Sequence, residues 1–208
     1  MIDIPFSEAC ERNKAIILET ISPILERIDT VLEVGSGTAQ HAIYFASCLA
    51  QLNWQTSDQQ SYLGGINAAL DHAFVSKAKL QESIMRPIEL NVNQDKWLSD
   101  NRKFDAIYTA NTFHIMTQAD VERFFAGIDQ VAHDESYLMV YGPFKYAGEF
   151  TSESNGDFDQ VLRSRGVGSG IRDFETVDTL AQNQGFKLLK DIAMPANNQC
   201  LIWRRGAA

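Results

Sequence analysis

Short apolar segments that alternate with helical apolar stripes constrain the fold of this chain more than any other feature. Strands are predicted at residues 30–34, 52–56, 87–92, 104–110, 136–141, 186–193 and 199–204. Strands that alternate with helices build a parallel sheet with helices on both faces. The last two strands are only about five residues apart, and so short a connection forces them to run antiparallel. The sequence therefore predicts a seven-stranded, mostly parallel α/β sheet of Rossmann-like type with an antiparallel hairpin at its end.

The predicted helices lie at residues 8–27, 39–52, 62–79, 117–131 and 173–184. Pro23 is expected to kink or restart the first of them, with Ser22 as a cap. Thr117 and Asp120 form a capping box, and Gly185 stands at the usual stop position. The stretch Gly142–Gly156 is predicted to be a long loop. Right-handed crossovers place the carboxyl ends of the parallel strands on one edge of the sheet, where ligands bind.

Composition limits the classes of protein to which the chain can belong. Its 208 residues, 45% of them hydrophobic, form no linker or repeat, so residues 1–208 are predicted to be a single domain. The net charge of −9 argues against nucleic acid as a partner. The three cysteines are widely spaced and the histidines have no metal spacing, so a metal site is not expected. An acidic N-terminus and the lack of a long apolar run predict a cytoplasmic protein without membrane contact.

One segment carries most of the chemical information. Residues 31–41, VLEVGSGTAQH, form a strand, a glycine turn and the start of a helix. Gly35 and Gly37 let the backbone approach a ligand, and the free N–H groups of a helix start favour polar or anionic groups. Asp58, at the end of the second strand and 23 residues beyond Gly35, is placed to accept both hydroxyls of a ribose.

Two cofactors compete for this turn, a nicotinamide dinucleotide and S-adenosylmethionine. The dinucleotide fingerprint needs a small residue where bulky Gln40 stands. Glu33 is an unfavourable neighbour for a pyrophosphate, whereas it suits a cofactor that carries an amino group and a sulfonium. These residues favour S-adenosylmethionine.

The segment VLEVGSGTAQH resembles the first motif of class I S-adenosylmethionine-dependent methyltransferases. Further segments resemble a narrower group, the domain-of-unknown-function 938 family, and they span nearly the whole chain. These segments are SEACERN (7–13), WQTSD (54–58), NTFHI (111–115), YGPF (141–144), SNGDFD (154–159), GIRD (170–173) and MPANN (194–198). Two positions depart from the family pattern, which usually has glycine at Ala39 and aspartate at Asn91.

The resemblance implies a methyltransferase fold over residues 1–208, with the N-terminal helix at 7–28 capping the cofactor site. It implies that Arg12 and Asn13 reach the methionine carboxylate. Asn91 and Val92, at the end of the third strand, are expected to border the adenine. With asparagine at position 91, the adenine amino group would be contacted by an amide oxygen.

The acceptor side is predicted from position along the strands. His114 follows the fourth strand on the ligand edge, where an imidazole of ordinary pKa near ~6.5 could take a proton from an attacking oxygen or nitrogen. Asn111 could orient the acceptor or the cofactor, and Tyr141 could form a wall of the pocket. Asn197 and Asn198 begin the hairpin turn, where stabilising the turn is an equally good interpretation.

Methyl transfer from S-adenosylmethionine to a small molecule or a protein side chain is the favoured function. A non-catalytic module that binds S-adenosylmethionine would keep Gly35, Gly37 and Asp58 and would tolerate the loss of His114 and Tyr141. A nicotinamide-dependent oxidoreductase is a third hypothesis. The sequence favours a small-molecule partner and does not predict the oligomeric state.

Overall fold

The computed structural model describes residues 4–166 and 168–206, which contain the predicted alternation of strands and helices. The helices are α1 (Glu8–Leu25), α2 (Gln40–Cys48), α3 (Gln60–Ser76), α4 (Leu80–Ser83), α5 (Gln118–Ile128), α6 (Glu153–Arg165) and α7 (Phe174–Asn183). The strands are β1 (Thr30–Val34), β2 (Asn53–Asp58), β3 (Ile84–Glu89), β4 (Phe104–Ala110), β5 (Ala132–Gly142), β6 (Phe144–Tyr146), β7 (Glu149–Phe150), β8 (Arg172–Asp173), β9 (Phe186–Met194) and β10 (Asn198–Arg205).

Seven of these strands form one sheet in the order β3-β2-β1-β4-β5-β10-β9. Strand β1 runs parallel to β2 and β4, and β2 runs parallel to β3. Strand β10 is antiparallel to both β5 and β9. The predicted fold class, a mostly parallel Rossmann-like sheet with a C-terminal antiparallel hairpin, is confirmed.

The described chain divides into two compact units. The first comprises the segment up to Asn91 together with Phe104–Tyr108. Its core contains an aromatic cluster in which the rings of Phe45, Trp54 and Tyr108 meet edge to face, with centroids 5.5–5.7 Å apart. Such pairs stabilise a core beyond the area they bury.

The second unit comprises Val92–Lys103 and the segment from Thr109 onward. Its aromatic cluster joins Trp97, Phe113, Phe124 and Phe125, with ring centroids 5.1–5.8 Å apart. This unit also holds a small sheet in the order β7-β6-β8. The capping box of Thr117 and Asp120 is present at the start of α5, as predicted.

Helix α1 runs through Pro23 to Leu25 as a single helix, so the predicted restart with Ser22 as a cap is wrong. Pro23 lies in the last turn of the helix. Because proline has no N–H group, the helix loses one hydrogen bond, the one to the carbonyl of Glu19. The hydroxyl of Ser22 donates to that carbonyl at 3.3 Å instead of capping a new helix.

The long loop predicted at Gly142–Gly156 is also wrong. This stretch contains β6, β7 and the first turn of α6. Helix α6 has no apolar stripe for a sequence pattern to reveal, because its buried residues are Asn155, Asp159 and Leu162. The two strands are three and two residues long, which is too short for a recognisable alternation.

Candidate functional site

The turn after β1 is held against the end of β2 by backbone hydrogen bonds. The N–H groups of Gly35 and Ser36 both donate to the carbonyl of Ser57, at 3.1 and 2.9 Å. Gly35 and Gly37 have φ values of 80° and 54°, in the region that favours glycine. A Cβ built on Gly37 would meet nothing within 4 Å, so the turn faces open space at this point.

Asp58 ends β2 with its carboxylate directed at the same turn. One carboxylate oxygen accepts the N–H of Gly37 at 2.8 Å, and the other accepts the N–H of Gln59 at 2.8 Å. Partial burial raises the pKa of Asp58, although both backbone hydrogen bonds oppose the rise. The N–H of Leu90 donates to the Asp58 carbonyl at 2.9 Å, so Asn91 follows a segment bonded to the end of β2.

Glu33 lies beneath the turn and is 3% exposed. Its Oε2 accepts the hydroxyl of Ser36 at 2.8 Å and the indole N–H of Trp54 at 3.1 Å. The Ser36 hydroxyl oxygen in turn accepts the N–H of Ser57 at 3.1 Å. Burial raises the pKa of Glu33 to about 7, against the effect of its two hydrogen bonds. Glu33 therefore connects the glycine turn to the aromatic core of the first unit.

The two candidate residues of α1 make contacts inside the first unit. Arg12 donates to Glu8 at 3.2 Å, and both side chains are largely exposed. The side-chain oxygen of Asn13 lies 2.7 Å from Nε2 of His41, whose Nδ1 lies 3.1 Å from the hydroxyl of Tyr108. Burial, with a smaller effect of a nearby lysine, lowers the pKa of His41 to about 4. Nothing in the local sequence marks His41 as a site residue except its place after the glycine turn.

Gln40, whose bulk argued against a dinucleotide, links the N-terminal segment to the start of α2. Its side-chain oxygen accepts the N–H of Ser7 at 2.6 Å and the hydroxyl of Thr38 at 2.9 Å. Its amide nitrogen donates to Glu11 at 3.1 Å. Helix α2 begins at Gln40 after Ala39, which has a φ of 58° and provides no side-chain cap. The first N–H groups of α2 therefore have no side-chain acceptor at the N-cap.

A second group of candidate residues lies in the second unit. The N–H of Asn111 donates to the carbonyl of Tyr141 at 2.8 Å, and Asn111 has a φ of 58°. A Cβ built on Gly142 would lie 3.8 Å from Nδ1 of His114 and 4.0 Å from the Cα of Asn111. The structure thus brings Asn111, His114 and the end of β5 together. Non-glycine residues in this backbone region are uncommon and concentrate at functional sites.

His114 is 8% exposed, and its imidazole packs edge to face against Phe158 of α6, with ring centroids 5.5 Å apart. Burial lowers the pKa of His114 to about 4, and the positive charge of Arg172 lowers it further in the same direction. At neutral pH the ring is therefore uncharged and one of its nitrogens can accept a hydrogen bond.

The remaining candidates have structural contacts in the same unit. Tyr141 is 3% exposed, and Val92 is 9% exposed. The amide of Asn197 donates to Ser154 at 3.1 Å, at the start of α6. The amide of Asn198 donates to two carbonyls of its own turn, as the turn-stabilising interpretation predicts.

The structure therefore holds the predicted residues in two groups, one in each unit. The first group is the glycine turn with Gly35 and Gly37, together with Glu33 and Asp58, which bond to it. The second group is His114 and Asn111, which lie at the end of β5. Among the described residues, His, Cys, Asp and Glu side chains form no group able to hold a metal ion. In residues 4–166 and 168–206, every helix is too short or too polar to cross a membrane.

The family model described as "protein of unknown function (DUF938)" matches residues 4–205. The chain belongs to this family. The DUF938 chain also has the fold of several solved methyltransferase structures, and it spans a little over half the length of each. An O-methyltransferase family protein from Burkholderia thailandensis is 12% identical, with a TM-score of 0.78 over 97% of this chain and 58% of that one.

Two further structures have the same fold. Human N-acetylserotonin methyltransferase in complex with SAM is 12% identical, with a TM-score of 0.77 over 96% of this chain and 53% of the human one. An O-methyltransferase family 2 protein from Planctomyces limnophilus in complex with apigenin is 9% identical, with a TM-score of 0.71 over 92% of this chain and 61% of that one.

Proposed function

We propose that this DUF938 protein transfers the methyl group of S-adenosylmethionine to a small-molecule acceptor. The observation that carries the proposal is the hydrogen bond from the N–H of Gly37 to the Asp58 carboxylate, at the carboxyl end of β2. It fixes a carboxylate beside an open glycine turn, which is the arrangement that a ribose-containing cofactor requires in this class of sheet. We also propose that, within this family, the chain is similar to methyltransferase-like protein 26.

The residues of the first unit fit the cofactor. Each carboxylate oxygen of Asp58 uses one hydrogen bond and keeps capacity to accept a ribose hydroxyl. The open space at Gly37 gives the cofactor room against the backbone. Asn91, the last residue of this segment of the unit, is proposed to meet the adenine through its amide oxygen, and the next residue, Val92, is also proposed to border the adenine. Arg12 and Asn13 are proposed to bind the methionine carboxylate, which would require them to exchange their contacts with Glu8 and His41.

The bound cofactor supplies an electrophilic methyl group, so the protein mainly has to align a nucleophile. His114 is proposed to accept a hydrogen bond from the acceptor's O–H or N–H group and to take its proton as the methyl group transfers. Because its pKa is about 4, the imidazole is already in its accepting form at any pH above about 5. The amide of Asn111 is proposed to orient the acceptor, and Tyr141 to support the pocket wall.

Three observations support a small-molecule acceptor. The net charge of −9 disfavours nucleic acid and anionic membrane surfaces as partners. One solved protein of the same fold is an N-acetylserotonin methyltransferase, and another is in complex with apigenin. We propose that the reaction takes place in the cytoplasm, in keeping with the three cysteines, which are free thiols in the structure.

Binding of S-adenosylmethionine, measured by titration calorimetry, tests the cofactor assignment. Asp58→Ala should weaken binding at least tenfold, because each hydrogen bond to a carboxylate is worth ~1.5–3 kcal/mol. Asp71→Ala, the matched control, removes an exposed acid of α3 that pairs with Arg86 and should change the affinity less than twofold. Equal affinity of the wild type and Asp58→Ala would remove the ribose assignment.

Incubation with methyl-labelled S-adenosylmethionine and fractionated small molecules from a cell extract tests catalysis. Label in a small-molecule fraction supports the proposal. Tight binding of the cofactor with no labelled product in any fraction, protein included, would instead identify a non-catalytic binding module. Binding of a nicotinamide dinucleotide in preference to S-adenosylmethionine would favour the oxidoreductase hypothesis.

A further inference from the structure

A four-residue segment, Ser169–Arg172, holds the turn that carries His114. The four consecutive carbonyl oxygens of residues 113–116 each accept a hydrogen bond from it. Nε of Arg172 donates to the carbonyl of Phe113 at 3.0 Å, and Nη2 donates to that of Met116 at 2.7 Å. The N–H of Gly170 donates to the carbonyl of His114 at 2.9 Å. The hydroxyl of Ser169 donates to the carbonyl of Ile115 at 3.1 Å.

Arg172 makes two of these four bonds and a third to the carbonyl of Gly168 at 2.7 Å. The residue as a whole is 9% exposed, so most of its surface is removed from water. Only a planar fork of several donors can reach carbonyls on both sides of His114 at once, and a lysine ammonium cannot reproduce that geometry. The bonds therefore fix the backbone immediately before and after the imidazole.

The segment is itself anchored to α6. Asp159, which is 4% exposed, accepts the N–H of Ile171 at 2.6 Å and the Arg163 guanidinium at 2.5 Å. A Cβ on Gly170 would lie 2.9 Å from the Asp159 carboxylate, so only glycine fits there without a shift. Since α6 also supplies Phe158, which packs against the imidazole, both the backbone and the ring of His114 are fixed by connected elements.

Burying the charged guanidinium of Arg172 has a larger free-energy cost than burying a neutral amide at this position would have. The charges that act on Arg172 are those of Asp159 and Asp120, which stabilise it, and Arg163, which opposes it. Arg172 is also the charged group that acts on His114. Its positive charge, like burial, favours the uncharged form of the imidazole, which is the form that can accept a hydrogen bond.

We propose that Arg172 is a positioning residue for the methyl-transfer reaction, acting through His114 by fixing residues 113–116 around it. The inference rests on the proposed function, in which His114 accepts a hydrogen bond from the acceptor. Positioning of this kind has a large effect on rate, since displacement of a reacting group by about 1 Å can cost ~10²-fold.

The experiment compares Arg172→Lys and Arg172→Gln with the wild type. The first variant keeps the charge and loses the fork, and the second loses both. The readout is the NMR titration of the His114 ring, assigned by its disappearance in His114→Gln. If Arg172 holds the turn, both variants should let water reach the ring and raise its pKa by about one unit or more, since burial is the main cause of the low value.

Turnover is the second readout. With an acceptor from the labelling experiment, both variants should lower kcat ~10-fold or more and leave the affinity for S-adenosylmethionine within about twofold. The matched control Arg102→Lys alters an exposed arginine that pairs with Asp100, and it should change none of these quantities.

An unchanged His114 pKa in both folded variants would overturn the inference. A changed pKa in Arg172→Gln alone would also overturn it, because it would show an effect of the Arg172 charge and none of its hydrogen bonds. Failure of both variants to fold would also overturn it, by assigning Arg172 to stability. Loss of the proposed function is a separate result, because it would appear as wild-type protein that binds no S-adenosylmethionine, whereas the ring titration needs neither cofactor nor acceptor.

Discussion

Replacement of Glu33 by glutamine provides a direct test of the electrostatics beneath the glycine turn. The carboxylate accepts hydrogen bonds from Ser36 and Trp54 through one oxygen, and a glutamine side-chain oxygen can accept the same two. Glu33→Gln therefore preserves the shape and the hydrogen bonds of the site and removes only its ability to ionise. The variant isolates the cost of a buried negative charge.

The magnitude follows from the pKa of Glu33, which burial raises from 4.5 to about 7. A carboxyl group with a higher pKa in the folded protein binds more protons when folded, so its contribution to stability falls as the pH rises from about 4.5 to about 7. The difference corresponds to about 3 kcal/mol. We expect the stability of Glu33→Gln relative to the wild type to increase by this amount between pH 4.5 and pH 8.

Urea unfolding at pH 4.5, 5, 6, 7 and 8, followed by tryptophan fluorescence, measures the effect. Comparison of variant and wild type at each pH cancels the contributions of the histidines and the other acids. Glu26→Gln, which removes an exposed carboxyl group of the same type, is the matched control. A pH-independent difference for Glu33→Gln would refute the argument that burial keeps this carboxyl group protonated at mildly acidic pH.

Two further predictions concern stability. Gly127→Ala would place a Cβ in overlap with the Trp97 indole and should destabilise the folded protein by about 1–3 kcal/mol. A Cβ at Gly64 meets nothing within 4 Å, so Gly64→Ala should stabilise the helix by about 0.5–1 kcal/mol. Thermal or urea unfolding of both variants measures these changes. His41 has its pKa lowered to about 4, so the unfolded chain binds the extra proton and stability falls as the pH drops below 6.5. Between pH 7 and pH 5, the free energy of unfolding of His41→Gln should therefore fall by about 2 kcal/mol less than that of the wild type. The same pH dependence of unfolding by urea in both proteins would contradict this.

The strands show how much of the fold follows from local sequence. Strands β1 and β4 begin and end where the sequence pattern predicts, since both lie inside the sheet and are buried along most of their length. Strand β3 is shifted, running over 84–89 instead of 87–92, because its burial alternates weakly and its bounds depend on pairing with β2. Helix α6 could not be predicted, since polar Asn155 and Asp159 are buried only where they find partners in the folded protein.

Part of the candidate site also follows from local sequence, and part of it does not. The glycine turn and Asp58 were predictable, because a turn conformation needs glycine and a parallel sheet brings the ends of neighbouring strands together. Glu33 was predicted as a cofactor contact, and the structure adds its bonds to Ser36 and Trp54. The contact between Asn13 and His41 joins residues 28 positions apart, and nothing in either local sequence reveals it.

The sheet, its antiparallel end and the place of the glycine turn follow from the amino-acid sequence, because they depend on local periodicity and on the backbone freedom of glycine. The protonation states of the buried ionisable groups depend instead on how the chain packs. Burial lowers the pKa of His114 from an ordinary 6.5 to about 4, and Arg172 reaches the carbonyls on either side of it from 58 residues away in the chain. Desolvation and long-range hydrogen bonds are properties of the packed molecule, and a pattern of residue types does not contain them.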